Sequence, residues 1–349
     1  MPFVINNGSI QPSKVVSVES ALSNSDIYAV ISRIASDVAA ALRSPRVNDE
    51  YVKGVIVRPN NLVPGYNFWL NTIVCLLING NSFCYISRDQ ETHVQRLEFI
   101  PIGNMEVKLV SDKDINKLKY TIRFIDGSTK ECDSTEILHF KLIAKGITFD
   151  DQYTGVSPLM SLATDIDIQD YNKRLALSTV SNAINPRFAL VSPELLSVDD
   201  KQALYDGFKK ANEGHQSTMV LDAGAKLQQI SLQPEILEFL NSINWSQTQI
   251  AKAFGIPADY LNGQGDQQSS IEMTRSLYAN SLQTYINPIE AEMSLKFGVD
   301  VQANESDAID FDHQQLIDNI AKLTSATKNG TPVMSPEQGM AALQQKGVF

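Results

Sequence analysis

The spacing of hydrophobic residues along this chain changes from helical to alternating and back to helical. From Ser25 onward, apolar residues recur every three or four positions, which predicts an amphipathic helix that ends before Pro45. A second helix is predicted from Gly65 to Ile78, and a strand is predicted over 82–87. Residues 1–24 show no clear period, and we interpret them as an arm or a mixed loop.

The period drops to two between Val94 and Phe140, which predicts a β-rich region. Within it, Tyr120 and Ile122 occupy alternate positions of one predicted strand. The pair Asp126-Gly127 follows this strand and is typical of a hairpin turn, because both residue types tolerate the backbone conformations that tight turns need. We therefore expect strands joined by hairpins in this part of the chain.

A small mixed module is predicted between two helices. Helical spacing resumes after Ser157-Pro158, a favourable pair for a helix start, and ends at Asn185-Pro186. Another helix is predicted from Pro234 to about Phe254. The residues between them predict, in order, strand 188–191, helix 199–211, strand 217–221 and strand 226–232. The simplest arrangement is a helical hairpin with a β-α-β-β module at its tip.

The second of these helices has a well-marked end. Gly255 occupies the position of a left-handed cap, and Pro257 prevents the helix from continuing. A polar loop with two glycines follows over 262–268, and a long helical pattern runs from about Ser270 to Lys296. Beyond it the chain is short and acidic, and Ser335-Pro336-Glu337-Gln338 resembles a capping box that starts a last helix.

Composition and charge narrow the range of functions. The chain has 349 residues, a net charge of −11 and a mean hydropathy of −0.14. Phosphate binding needs clustered Lys and Arg, and the densest basic pair is Lys209-Lys210, so no DNA-binding patch is predicted. The longest apolar run, 69–78, is too short to span a membrane, and the first 25 residues lack the pattern of a signal peptide. We therefore expect a soluble, cytoplasmic protein.

Sequence motifs for catalysis are largely absent. There is no GxxxxGK[ST] phosphate loop, no GxGxxG after a strand and no HExxH metal motif. Cys75, Cys84 and Cys132 lack the spacing of metal ligands, and we interpret them as buried, reduced thiols. His139 lies within a predicted strand, and we interpret it as a hydrogen-bonded histidine rather than a general base.

One acidic segment keeps a catalytic alternative open. In an extended conformation, Asp310 and Asp312 would project to the same side, next to His313, and could hold a cation. A solvated acidic loop explains the same three residues. The alternative reading of the chain is therefore an α+β metal-dependent hydrolase that uses them.

Six short segments carry a resemblance to a known family. They are Gly80-Asn81-Ser82-Phe83-Cys84-Tyr85, Glu136-Ile137-Leu138-His139-Phe140, Gly155-Val156-Ser157-Pro158-Leu159, Met219-Val220-Leu221-Asp222-Ala223-Gly224, Ile250 to Leu261, and Tyr285-Ile286-Asn287-Pro288-Ile289-Glu290. In this order they resemble the portal proteins of tailed double-stranded-DNA phages, in the family typified by the Hong Kong ninety-seven phage. The strongest match comprises Ile250, Ala251, Phe254, Gly255, Ile256, Pro257 and Leu261.

The resemblance implies an α+β portal fold in a ring-shaped homo-oligomer of about twelve subunits. It assigns the chain, in order, to an N-terminal arm (1–25), a β-rich wing (26–157), a first stem helix (158–185), a small β-α-β-β clip (186–233), a second stem helix (234–261), a tunnel loop (262–270), a long wing or crown helix (271–297) and a short crown with a C-terminal tail (298–349).

The resemblance also implies a conduit without catalysis or cofactor. A portal would nucleate head assembly at one capsid vertex, dock the terminase motor during DNA packaging, and connect head to tail for DNA ejection. The expected partners are copies of the same chain, the terminase large subunit, the major capsid and scaffold proteins, a head–tail adaptor, and double-stranded DNA that passes without sequence-specific binding. No membrane partner is expected. The protein would assemble in the host cytoplasm and reside in the virion.

Two sets of contact residues follow from the resemblance. The DNA-facing residues of the tunnel loop would be Asn262, Gln264, Asp266, Gln267, Gln268 and Ser269. The clip residues that face a terminase or adaptor would be Lys209, Lys210, Asn212 and Glu213. The apolar faces of 26–43 and 270–296 are candidate subunit contacts. Another ring-forming phage connector or baseplate protein remains an alternative to the portal.

Overall fold

Two stretches that are far apart in sequence form the larger of two structural units. Unit 1 comprises Met1–Thr164 and Gln247–Phe349, and unit 2 comprises Asp165–Ser246. The chain therefore leaves unit 1 once and returns to it once. This computed structural model describes residues 3–6, 9–12, 18–91, 93–112, 115–148, 151–168, 171, 174, 177–178, 188–191, 197–213, 226–229, 245–257, 271–305, 314–328 and 331–345.

Helices and strands are mixed throughout the described residues. The helices are α1 (Val18–Ser23), α2 (Ser25–Ala41), α3 (Glu50–Val57), α4 (Gly65–Asn79), α5 (Val198–Glu213), α6 (Trp245–Ala253), α7 (Ile271–Phe297), α8 (Gln314–Ser325) and α9 (Pro336–Gln345). The strands are β1 (Phe3–Asn6), β2 (Ser9–Pro12), β3 (Arg46–Val47), β4 (Asn81–Arg88), β5 (Val94–Ile100), β6 (Met105–Asp112), β7 (Ile115–Arg123), β8 (Thr129–Asp133), β9 (Ile137–Lys141), β10 (Phe188–Val191), β11 (Lys226–Gln229), β12 (Val301–Gln302), β13 (Thr327–Lys328) and β14 (Thr331–Pro332).

The helical part of the unit 1 core is built around α2. Asn24 caps this helix, because its side chain accepts hydrogen bonds from the backbone N–H groups of Asp26 and Ile27 at 3.1 and 3.3 Å. The apolar face of α2 packs on α4 and also contacts α7. Trp69 of α4 is buried and donates from its indole nitrogen to the carbonyl of Ile56 at 2.8 Å.

Two antiparallel sheets share the rest of this core. One has the strand order β5-β4-β9, and the other has the order β1-β2-β6-β7-β8. A single cluster of buried side chains joins them. Its members are Phe83, Ile100, Met105, Val107, Tyr120, Ile122, Cys132 and Ile137. In β6 and β7 the cluster takes alternate residues, Met105 with Val107 and Tyr120 with Ile122, as expected where one face of a sheet is buried.

Helix α7 covers the free edge of strand β9. The backbone N–H of His139 donates to Glu292 of α7 at 3.0 Å, which pairs an edge group that no strand reaches. Lys296 donates to the carbonyl of Ser134, and Arg88 donates to the carbonyl of Lys296 at 2.8 Å. The last two turns of α7 are therefore fixed to the three-stranded sheet by polar contacts.

Several sequence predictions on local structure are confirmed. The two helices after Ser25 and Gly65, the 126–127 hairpin turn and strand 188–191 are all present. Gly255 has φ of +66°. The capping box of α9 is complete, since Ser335 and Gln338 exchange bonds of 3.0 and 3.2 Å.

Other predictions need correction. Residues 1–24, interpreted as an arm or mixed loop, contain β1, β2 and α1, and β2 pairs with β6 through Ile10 and Val107. The apolar face of 26–43 is not a subunit contact, because the chain buries it in its own core. The same holds for the apolar side of α7, where Tyr278, Leu282 and Ile289 are buried. Helical spacing predicted burial correctly but did not identify the partner.

Unit 2 contains α5 and the antiparallel pair β10–β11, in which Phe188 lies opposite Gln229. Ser197 caps α5, accepting from the backbone N–H of Asp200 at 3.2 Å. The strand predicted over 217–221 and the helix start predicted at Pro234 lie outside the described residues. Among the described residues, no helix combines the length and the apolar character that a membrane span needs.

A buried hydrogen bond joins α7 to α2. The hydroxyl of Tyr278 donates to the carboxylate of Asp37 at 2.6 Å, and Arg33 contacts the same oxygen at 2.9 Å. Burial raises the pKa of the Asp37 carboxyl, and the bonds from Tyr278 and Arg33 act in the opposite direction. Because the folded pKa is raised, the contribution of Asp37 to stability falls as the pH rises from about 4 through that pKa.

We expect Tyr278→Phe to lower the free energy of unfolding of unit 1 by about 1.5–3 kcal/mol at pH 7, because a buried carboxylate loses a donor. The loss should shrink towards pH 4, where the carboxyl becomes protonated. Urea denaturation followed by tryptophan fluorescence measures it. Tyr66→Phe, at an exposed position, is the matched control. An equal loss from Tyr278→Phe in an Asp37→Asn background would contradict the assignment.

Candidate functional site

Three of the motif segments meet at one place in unit 1. The turn Gly80-Asn81 at the end of α4, His139 of β9 and the segment Gly155–Ser157 are in contact, although up to 77 positions separate them in sequence. We call this contact the motif junction. It stands directly before the segment through which the chain leaves unit 1, so its geometry determines where that segment starts.

The side chain of Asn81 forms the centre of the motif junction. Its amide nitrogen donates to the carbonyl of Gly155 at 2.8 Å, and its oxygen accepts from the N–H of the same glycine at 2.8 Å. The side chain therefore pairs with a backbone unit as a neighbouring strand would. Asn81 is fully buried, so these bonds satisfy groups that water does not reach.

Two glycines let the backbones approach closely at the motif junction. Gly80 has φ of +73°, and a Cβ atom there would lie 2.5 Å from the carbonyl carbon of Val156. A Cβ on Gly155 would lie 2.2 Å from the carbonyl oxygen of Gly80. That same oxygen accepts from the N–H of Leu142 at 3.0 Å. No other residue type fits either position without moving the backbone.

His139 is buried and engaged at both ring nitrogens. Its Nε2 lies 3.1 Å from the side-chain oxygen of Asn81, and its Nδ1 lies 3.1 Å from the hydroxyl of Tyr120. Burial, together with Lys141 and Lys296, lowers the pKa of this imidazole well below its usual value. The pattern fits a neutral ring that donates from Nε2 and accepts at Nδ1. The prediction of a hydrogen-bonded strand histidine is confirmed.

Ser157 ties the departing segment to α4. Its hydroxyl donates to the carbonyl of Leu77 at 2.9 Å and accepts from the N–H of Leu159 at 3.1 Å. Pro158 supplies the first residue of the turn that follows, as the sequence predicts. The start of the segment that leads to unit 2 is therefore held by one buried side chain.

The returning segment is anchored separately, at the end of α6. Here the N–H of Ile256 donates to the carbonyl of Ala251 at 2.9 Å, which closes the helix with Gly255 in the left-handed conformation. The hydroxyl of Tyr285, on α7, donates to the carbonyl of Phe254 at 2.6 Å. Of the seven residues of the strongest motif, Leu261 lies outside the described residues; Ile250, Ala251, Phe254 and Ile256 are buried.

The departing and returning segments line one groove of unit 1. Its volume is about 820 Å³, and its walls include Pro158 and Met160 on one side and Phe254, Tyr285 and Pro288 on the other. Pro288 lies inside α7 and has no N–H, so the carbonyl of Thr284 lacks its usual helical donor. Both connections to unit 2 are thus placed on the same surface of unit 1.

The residues that the sequence proposed as contact sites are less completely described. Lys209, Lys210, Asn212 and Glu213 lie in the last turns of α5, without described side chains. Outside the described residues lie Asn262, Gln264, Asp266, Gln267, Gln268 and Ser269, and also Asp310, Asp312 and His313. Within the described part of the chain, no group of three or more His, Cys, Asp or Glu residues is arranged to hold a metal ion.

Sequence reasoning missed the contacts that hold the site together. It identified Asn81, His139 and Gly155 only as members of separate motifs and did not pair them. The bond from Tyr285 to Phe254 was also not foreseen. The available signal was the glycine beside a small polar residue, which indicates close backbone approach but does not identify the other backbone.

The fold and the contacts described above are those of a structural protein. Buried polar groups fix the two segments that connect unit 1 to unit 2. The family model described as "Phage portal protein" matches residues 25–339, and the chain therefore belongs to the phage portal protein family. That family is structural rather than enzymatic.

Relatives agree with this membership. The chain is 21% identical to a probable portal protein of Streptomyces phage phiC31, over 83% of this chain and 67% of that one. It is 22% identical to the portal protein of Enterobacteria phage HK97, over 66% of this chain and 56% of that one. An uncharacterized protein of Rickettsia felis is 25% identical over 79% of this chain and 71% of its own length.

Solved structures share the fold. A chain from the neck of a native gene transfer agent particle, computed with C12 symmetry, superimposes with a TM-score of 0.63 and 18% identity, covering 95% of this chain and 93% of that one. An HK97-family phage portal protein from Corynebacterium diphtheriae gives a TM-score of 0.56 and 16% identity, over 84% of this chain and 98% of that one. The α+β portal fold expected from the sequence is therefore confirmed.

We expect Gly155→Ala to destabilise unit 1 by about 1–3 kcal/mol or more, because the added methyl group would meet the backbone of Gly80 and Leu142. Gly103→Ala is the matched control, since a Cβ there has no heavy atom within 4 Å. Chemical denaturation measures the difference, and hydrogen exchange of residues 155–161 localises it. Equal stability of the two variants would show that the junction tolerates a side chain.

Proposed function

We propose that copies of this chain form a ring that serves as the DNA conduit at one capsid vertex of a phage. In this role it nucleates head assembly, docks the terminase large subunit during packaging, and connects head to tail through an adaptor. The observation that carries the proposal is the match of the family model over residues 25–339. The likeness to a chain from a particle neck with C12 symmetry supports the ring.

The two anchored connections support the assignment of separate parts. We propose that unit 2 contains the clip (186–233) together with the adjoining parts of the two stem helices, and that the clip meets a terminase or adaptor through Lys209, Lys210, Asn212 and Glu213. A motor that docks on unit 2 would transmit force to the rest of the subunit through both connections. Buried hydrogen bonds at Ser157 and Tyr285 give those connections fixed starting points on unit 1.

The charge of the chain supports a channel that does not retain DNA. A ring of about twelve copies carries roughly −130 charges, at −11 per copy, and such a surface does not attract a polyanion. We propose that the tunnel loop (262–270) meets the DNA, with Asn262, Gln264, Asp266, Gln267, Gln268 and Ser269 as its polar contacts. The amide and hydroxyl side chains of this set can donate hydrogen bonds to phosphates in passing, without the ion pairs that would hold them, and the Asp266 carboxylate repels phosphates.

Native mass spectrometry of the purified chain, with negative-stain images of the same sample, tests the ring. We expect a closed ring of about twelve copies with a central hole. A stable monomer or dimer at micromolar concentration, which scaffold and capsid proteins do not convert to a ring, would contradict the portal function. That result would direct attention back to Asp310, Asp312 and His313 as a metal site.

We expect the triple substitution Gln264→Lys, Gln267→Lys and Gln268→Lys to make the ring retain double-stranded DNA. The dissociation constant should fall at least about tenfold at low salt, and the gain should disappear as salt rises, because the added lysines displace counterions. Fluorescence anisotropy with a labelled duplex measures this. Lysines at the exposed residues Gln95, Gln302 and Gln344 are the control. Equal gains in both variants would contradict a DNA-facing loop.

A further inference from the structure

Over residues 276–297 of α7, where every side chain is described, the solvent-facing side has no charged residue. Six exposed residues recur at intervals of three or four along the helix and form one continuous stripe, which we call the outer stripe. They are Leu277, Asn280, Thr284, Asn287, Ala291 and Leu295. Leu277 and Leu295 are 51% and 74% exposed. At 1.5 Å per residue the outer stripe is about 27 Å long.

The charged residues of α7 whose side chains are described form hydrogen bonds within the subunit. Glu290 accepts from the backbone N–H of Ala303, and Glu292 accepts from that of His139. Lys296 donates to the carbonyl of Ser134. This arrangement of charged residues is the reverse of the usual one, in which the charged residues of a surface helix face water.

We propose that the outer stripe is buried against the neighbouring copy of this chain in the ring, an inference that rests on the proposed ring. Each copy carries a net charge of −11, and an uncharged surface lets two copies meet without bringing like charges together. Depletion of charge is also the compositional mark of the centre of an interface. Stable binding of DNA to the stripe is disfavoured, because the stripe offers no cation that would hold a phosphate.

The size of the outer stripe fits one side of a ring contact. In a ring, each copy uses two different surfaces, one for each neighbour, and the stripe supplies one of them. A face about 27 Å long and about 10 Å wide gives roughly 270 Å², about a third of what a standard interface buries on each partner. The stripe therefore supplies part of one contact surface, and neighbouring residues would supply the rest.

The test introduces charge without changing shape. Asn280→Asp together with Asn287→Asp adds two negative charges to the outer stripe with isosteric side chains. Asn61→Asp together with Asn67→Asp adds the same two charges at other exposed positions and is the matched control. We expect the stripe variant to need at least about tenfold more protein for half-maximal ring assembly, as measured by mass photometry, and to recover in high salt because the repulsion is screened. The control should assemble as the wild type does.

A second pair of variants tests packing. Leu277→Glu with Leu295→Glu should leave only monomers whose thermal unfolding is close to that of the wild-type subunit, because both leucines are exposed there. Leu62→Glu, at a position that is 83% exposed, is the control. If all the stripe variants form rings as the wild type does, the inference is wrong, but the proposed conduit function is unaffected. A wild-type chain that forms no ring would overturn both.

Discussion

The pairing of the Asn81 side chain with the backbone of Gly155 is the contact on which the arrangement of unit 1 depends. The backbone N–H and C=O of one residue, Gly155, are both satisfied by one side-chain amide, at a point where two backbones lie too close for any Cβ. Each such group left unpaired in a buried site costs about 1–3 kcal/mol. The end of α4, strand β9 and the segment leading to unit 2 all have their positions set by this contact.

Helix α7 links that junction to the rest of the subunit. Its inward side meets three elements by polar contacts, namely Asp37 of α2, the edge of β9 and the end of α6. A helix whose charges are used inside the subunit leaves an outward side without them. The use of these charged residues inside the subunit thus leaves the outer stripe uncharged.

The motifs shared with portal proteins are architectural in this chain. His139, which sequence inspection could take for a catalytic base, is buried, neutral and bonded at both nitrogens. Ser157 and Tyr285 fix backbone carbonyls instead of reacting. A satisfied buried polar network of this kind resists displacement of the segments that it joins.

The sequence by itself determined the features that depend on near neighbours in the chain. Gly255 and Pro257 ended α6, Ser157-Pro158 started a turn, and Ser335 and Gln338 formed a capping box, since each signal acts within a few residues. Only the tertiary structure decided which backbone faces Asn81, that β1 and β2 join a sheet, and that the apolar face of α2 is buried inside its own subunit. Hydrophobic period predicts that a face is covered, but the partner is chosen by contacts between residues tens of positions apart or more, and no local pattern encodes them.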